Sequence, residues 1–301
     1  MIREEEIAII GAGPAGAAAA VQLRRMGRDP LVFEKGRPGG LLRSANLVEN
    51  YPGFPAGIEG RELAELIGKH MERFRVRLLR EEVISMDYRG GRFVLKSYSG
   101  IRRAGAVILA AGTVPAKDHG IEVCGEAAAL AFYNPDSIRE GSDTVIIGAG
   151  DAAFDYALNL APRGRVLILG RSKTPRALRV LVERAEENES IHYFSNVEVS
   201  GIEEEEGELI LRLKDPSGVK FPEPFDAGIP GAVRAGNALF ATGRCPATGF
   251  MSGRLIELSK NLEKEGKLFF AGDVRGGSCR QAAVAAGDGL RAAMITGKGG
   301  R

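Results

Sequence analysis

The glycine pattern Gly11-Ala12-Gly13-Pro14-Ala15-Gly16 returns further along the chain as Gly148-Ala149-Gly150-Asp151-Ala152-Ala153. Few patterns restrict a fold as tightly. The first glycine makes a tight turn, the second lets the backbone approach a pyrophosphate, and the third position lets helix and strand pack closely. The pattern carries weight only with a strand before it and a helix after it, and here both flanks occur twice. Apolar Glu6–Ile10 runs into the first copy and Thr144–Ile147 into the second. Helices are predicted from Pro14 to about Met26 and over Ala152–Leu160, and further strands over Leu31–Phe33 and Val166–Leu169. Two such units predict an α/β chain with two Rossmann-like, three-layer nucleotide-binding domains.

A Gly/Pro/Asn-rich loop spans Gly36–Gly57, a helix is expected near Glu59–Phe74, and alternating strands from Val76 to about Ser99. Ala106–Ala110 is apolar at every position and reads as a buried parallel strand. The pattern loses regularity from Thr113, which marks a crossover, and Leu239–Gly243 reads as the return. Val197–Ile202 and Leu209–Leu213 are expected to form a hairpin, with the glutamates at 203–206 as its solvated turn. Near the end, a strand Lys267–Ala271 leads through Gly272-Asp273 to a helix from about Arg280 to Ile295. Ser278 and Gln281 have the spacing of a capping box at its start.

Length and charge narrow the class. A chain of 301 residues sits where one core tends to split into two. A net charge of +2 gives no electrostatic reason to expect nucleic acid or an anionic membrane as partner. No apolar run reaches the ~20 residues that span a bilayer, and the acidic start does not resemble a signal peptide. The three cysteines (Cys124, Cys245, Cys279) contain no C-x-x-C and suit a reducing cytoplasm. Three scattered histidines make a metal site unexpected. Cys245 reads as a packing residue, and Cys124 as a buried small hydrophobe or an unpaired thiol.

The candidate binding residues follow from the fingerprints. Gly11, Gly13 and Gly16 would face a dinucleotide at a helix N-terminus, with Pro14 and Ala15 in its first turn. Glu34 stands after the second strand, placed to accept from a ribose. In the second unit Gly148, Gly150, Asp151 and Ala152 repeat the arrangement, but no carboxylate follows the strand. The loop carries Arg171 and Arg176 instead, which favours a 2′-phosphate and hence NADP over NAD. Asp273 lies just past a buried strand. A helix N-terminus beside it would stabilise negative charge developing on a redox ring.

The order Gly11–Gly16, Glu34, Gly39-Gly40, Glu49-Asn50-Tyr51-Pro52-Gly53-Phe54, Ala271-Gly272-Asp273 and Arg280-Gln281-Ala282 resembles the low-molecular-weight thioredoxin reductase family. The resemblance covers nearly the whole chain. It implies FAD at the first fingerprint, with Glu34 on the adenosine ribose, Val83 at the adenine and Asp273 on the ribityl chain. Arg280, Gln281 and Ala282 would lie along the isoalloxazine, with Asn50 near the same cofactor. Lys35, Gly40, Leu41, Ala111 and Gly112 complete the FAD set. An FAD domain formed by 1–113 and 244–301 would receive an NAD(P)H domain, 114–243, as an insertion. The family is commonly homodimeric.

Two departures stand out. Counting back from Gly148, the place of the family's C-x-x-C is Ala131-Phe132-Tyr133-Asn134; counting forward it is Cys124-Gly125-Glu126-Ala127. Neither holds a dithiol. The stretch Asn134–Ser137 and the helix after Gly150 look more like thioredoxin-reductase-like ferredoxin–NADP reductases. Three functions therefore stay open. One is an FAD-dependent NAD(P)H oxidoreductase passing electrons to ferredoxin or another small redox carrier. The second is a disulfide reductase using Cys124 alone. The third is a non-enzymatic flavin-binding sensor or subunit.

Overall fold

The computed structural model describes residues 3–117, 119–215 and 219–297. The chain divides into two compact units, one of residues 1–43, 47–114 and 244–301, the other of 44–46 and 115–243. Ser44–Asn46 thus group with the second unit, although the sequence reading assigns all of 1–113 to the first.

The first unit is built on a seven-stranded sheet, running in order Arg77–Leu79, Leu31–Phe33, Arg3–Ile10, Gly100–Leu109, Arg92–Ser97 and Ser85–Arg89, with Leu268–Phe270 also paired to Gly100–Leu109. The expected strand Ala106–Ala110 falls on the second half of this ten-residue strand, which ends one residue earlier at Leu109. Val107–Leu109 have parallel partners on both sides, Ala8–Ile10 and Leu268–Phe270. Its first half instead pairs antiparallel with Phe93–Ser97. Alternation sends Ile7, Ile9, Val32 and Ile108 to one face, against the alanine-rich helices Pro14–Arg25 and Ala282–Thr296. Ala8, Ile10, Phe33, Val107 and Leu109 face the other way, against Phe93, Leu95, Leu255 and Leu262. Helix, sheet and a mixed helix-and-meander layer make three layers.

The second unit repeats the plan. Its parallel sheet runs Ala131–Phe132, Asn237–Phe240, Thr144–Ile147, Val166–Gly170, Ile191–Ser195. Ile146, Ile168 and Leu239 pack on the helix Asp151–Leu160 through Ala153, Phe154 and Ala157. Val145, Ile147, Leu167, Leu169 and Phe240 pack on a four-stranded sheet through Ile202, Leu209, Leu211 and Val233.

Four local expectations need correction. Glu203–Glu205 belong to the strand Val199–Glu205, so the hairpin turn is only Glu206-Gly207. A strand with a solvated face accommodates these charges, and Glu203 pairs with Arg212 at 3.2 Å. Ser278 does not cap the last helix, which begins at Ala282 after an extended Gln281. The Ser278 carbonyl instead accepts from the Arg280 N–H, and the Arg280 guanidinium donates to the Arg244 carbonyl, which holds 278–281 out of the helix. Cys245 is exposed, not packed, because it points outward from the short ladder of Arg244–Pro246 with Thr113–Pro115. Cys124 is exposed as well and is not a buried hydrophobe; it sits at the N-terminal edge of a single helical turn.

Candidate functional site

In the first unit the backbone assembles a groove around the fingerprint. Gly11 has φ +99°, and a Cβ there would lie 2.3 Å from the Ala110 carbonyl oxygen. A Cβ on Gly16 would lie 1.8 Å from the Gly11 carbonyl oxygen. Both glycines are therefore demanded by close backbone approach. Gly13 differs, since nothing stands within 4 Å of its would-be Cβ. Gly13 is also the N-cap of the helix starting at Pro14, and no side chain caps that end. First-turn N–H groups with open space before them suit an anion such as a pyrophosphate.

The surrounding residues converge on this groove. The Glu34 carboxylate accepts from the N–H of Ala12 at 2.7 Å and of Gly36 at 2.8 Å, which fixes it beside the fingerprint. The Gly39 N–H donates to the Ala12 carbonyl, and a Cβ on Gly40 would approach Gly13 Cα at 3.3 Å. Leu41 is exposed next to it, while Val83 is buried. Lys35 is turned to the surface, paired with Glu82 at 3.1 Å. Ala111 Cα lies 3.2 Å from a Cβ built on Gly11, and the Gly112 carbonyl accepts from the Ala247 N–H.

Residues far apart in the chain also meet here. Asn50 donates to the Gln281 side chain at 2.9 Å. Asp273 and Arg280 line a cavity of about 460 Å³ together with Gly272, Cys279, Ala285 and Arg291. Burial pushes the Asp273 carboxyl above the usual range, and the Arg280 and Arg244 guanidiniums pull against that shift. A carboxyl raised in the folded state makes stability fall as the pH climbs from its unfolded to its folded value. Replacing Asp273 by asparagine is expected to flatten that slope in a thermal-melt pH series while lowering flavin content. An unchanged slope would show that another group sets it.

The second unit presents the same backbone. Gly148 has φ +124°, and its Cβ would meet the Ala241 carbonyl oxygen at 2.4 Å. Gly150 has nothing within 4 Å and is the N-cap of the helix from Asp151, again without a side-chain cap. Asp151 is committed elsewhere, accepting from the Leu178 N–H at 2.7 Å. Ala152 is exposed in the first turn, and Ala153 at the third fingerprint position is buried. The Arg176 N–H donates to the Ala149 carbonyl at 2.8 Å, which ties the basic loop to the fingerprint. Arg171 and Arg176 are exposed there. Asp155, one turn along the helix, accepts from the Asn46 N–H and is pushed up to about 6 by burial.

Sequence reasoning missed Tyr193, whose hydroxyl approaches the Gly170 backbone beside Ala149. It also missed the stack of His119 on Phe240 at 4.3 Å, with Tyr133 hydrogen-bonded to His119 at 3.0 Å. Aromatic residues at strand ends were the available signal. Among the described residues no cluster of His, Cys, Asp or Glu could hold a metal, and no helix is long and apolar enough to cross a membrane.

Comparison with known proteins agrees with this geometry. The family model for pyridine nucleotide-disulphide oxidoreductases matches residues 5–289. Thioredoxin reductase from Chlamydia trachomatis is 32% identical, with 96% of each chain covered. Thioredoxin reductase from Mycolicibacterium smegmatis is 31% identical over 96% of this chain and 94% of its own. Among solved structures, T. acidophilum thioredoxin reductase superposes with a TM-score of 0.79 at 26% identity, covering 98% of both chains. The chain belongs to the pyridine nucleotide-disulphide oxidoreductase family and is an FAD-dependent NAD(P)H oxidoreductase of thioredoxin reductase type.

Proposed function

We propose that this enzyme takes electrons from NADPH and delivers them from FAD to an external small redox protein, of ferredoxin type, with no dithiol of its own in between. The observation that carries this reading is the cysteine inventory. Cys124, Cys245 and Cys279 are free, exposed and far apart in sequence. The stretch Ala131–Asn134, one of the two places where the family's pair would fall, holds instead a short strand and the Tyr133 ring.

The groove residues fit the two nucleotides. The uncapped helix ends at Gly13 and Gly150 would hold the pyrophosphates, and Glu34 the FAD ribose, through lone pairs left over from its two amide bonds. Asp273 would accept from the ribityl hydroxyls. Asn50 and Gln281, already bonded to each other, would line the flavin edge together with Arg280 and Ala282. When bound, the flavin supplies a ring that accepts a hydride equivalent from a reduced nicotinamide and releases electrons singly or in pairs. Arg171 and Arg176 would favour a 2′-phosphate, and the chain would act as a homodimer in the cytoplasm.

The test uses the yellow holoprotein without oxygen. NADPH is expected to bleach the flavin, and oxidised ferredoxin to restore it, with two one-electron carriers reduced per NADPH and one proton released. Cys124→Ser is expected to leave both steps within about twofold of the parent. Reduction of thioredoxin, lost in Cys124→Ser, would instead establish the single-cysteine disulfide reductase. Failure to bleach with either NADPH or NADH would remove the oxidoreductase reading altogether.

A further inference from the structure

The two fingerprints allow an internal comparison that isolates one side chain. In the first unit the Gly11 N–H donates to the Phe33 carbonyl, and in the second the Gly148 N–H donates to the Leu169 carbonyl. The residue following each acceptor is therefore equivalent, Glu34 in one and Gly170 in the other. Glu34 sends its carboxylate back to the N–H of Ala12. Gly170 has no side chain to send toward Ala149, the residue matching Ala12.

That space is taken from the neighbouring strand. A Cβ built on Gly170 would lie 2.9 Å from the Ala149 methyl and 3.0 Å from the Tyr193 hydroxyl oxygen. Tyr193 stands opposite Ile168 in the parallel register, and its ring is held edge-on against Phe154 at 5.4 Å. Its hydroxyl is closed off from solvent and has no hydrogen-bond partner. A buried hydroxyl without a partner is destabilising relative to a satisfied one. Burial also pushes the phenol above its ordinary range, so it is a neutral donor at any physiological pH.

We propose that the Tyr193 hydroxyl is the group that recognises the 2′-position of the adenosine ribose in the second nucleotide site, in the place where the first site uses the Glu34 carboxylate. The inference rests on the reading that this fingerprint holds NAD(P). A phenol can donate to either a 2′-hydroxyl or a 2′-phosphate oxygen, whereas a carboxylate repels the phosphate. Tyr193 thus explains how the site dispenses with an acid without losing its hold on the ribose, and it leaves the choice of phosphate to the arginines of the following loop. Gly170 is then required to be small, since any side chain there would collide with the phenol.

The test is equilibrium binding of oxidised nucleotides to the holoprotein, which involves no turnover. In the parent, NAD⁺ is expected to bind about tenfold more tightly than 2′-deoxy-NAD⁺, and NADP⁺ more tightly still through Arg171 and Arg176. In Tyr193→Phe the NAD⁺ preference is expected to collapse to within about twofold, through weaker binding of NAD⁺ and unchanged binding of the deoxy analogue, while Arg171 and Arg176 keep NADP⁺ ahead of both. Flavin content should be unaffected, and the nucleotide-free thermal midpoint equal or higher, because the orphan hydroxyl is gone. A variant that still prefers NAD⁺ to the deoxy analogue as the parent does would overturn the assignment of Tyr193 alone. A parent that binds none of the three would overturn both this assignment and the NADPH reading of the second site.

Discussion

Gly289→Ala is expected to produce a protein that expresses without flavin. Gly289 lies in the last helix, where a Cβ would sit 1.9 Å from the Ala15 carbonyl oxygen and 2.8 Å from the carbonyl carbon. Those are backbone atoms in the first turn of the fingerprint helix, so no side-chain rotation can make room. Gly272 meets the same residue, its would-be Cβ lying 2.9 Å from the Ala15 methyl. The helices Pro14–Arg25 and Ala282–Thr296 must separate by an ångström or more, which shifts the uncapped helix end at Gly13 and the turn leading to Asp273. Overpacking of this kind typically costs about 1–3 kcal/mol, and backbone contact places it at the upper end. Gly287, in the same helix, is exposed with nothing within 4 Å. Gly287→Ala should therefore keep full flavin and gain up to about 1 kcal/mol from helix propensity. Absorbance ratios and thermal midpoints of the two variants separate the outcomes. Full flavin in Gly289→Ala would mean that the helix pair does not position the site.

The contrast between these glycines shows what a sequence can and cannot disclose. Gly11, Gly13 and Gly16 were legible because turn, approach and packing fall within six consecutive residues, and Glu34 because strand lengths fix its distance from them. The strands Leu31–Phe33 and Thr144–Ile147 were legible from the apolar runs Leu31–Phe33 and Val145–Ile147. Gly289 gave no signal, since its reason is a carbonyl more than 270 residues away in the chain. The start of the last helix was misplaced for a related reason: Ser278 has the right spacing to cap it, but the Arg280 guanidinium is anchored on the Arg244 carbonyl, a contact no local window contains. Cys245 and Cys124 were misread because burial of a lone cysteine depends on which side of a short ladder or turn it occupies. Tyr193 was missed because the pattern that reports ribose recognition looks for a charge at the end of the second strand. Here the group reaches in from the third.

The second large effect is expected from Gly148→Ala, and it should leave flavin in place. Gly148 combines φ +124°, which an L side chain rarely adopts, with a would-be Cβ 2.4 Å from the Ala241 carbonyl oxygen. The strain and the collision act on the same turn, whose N–H is bonded to the Leu169 carbonyl. The turn cannot relax without withdrawing Gly150 and the helix end behind it from the groove. Backbone strain of this sort costs on the order of 1–3 kcal/mol before the collision is counted. Because the second unit is compact in its own right, the damage should be confined to it. The purified variant is expected to be yellow and to bleach normally with dithionite, but to bleach with NADPH at least about a hundredfold more slowly than the parent. Stopped-flow absorbance with the two reductants makes the comparison. Loss of colour would mean that the fingerprint around Gly148 also supports flavin retention, and bleaching by NADPH at the parental rate would show that the nucleotide enters elsewhere.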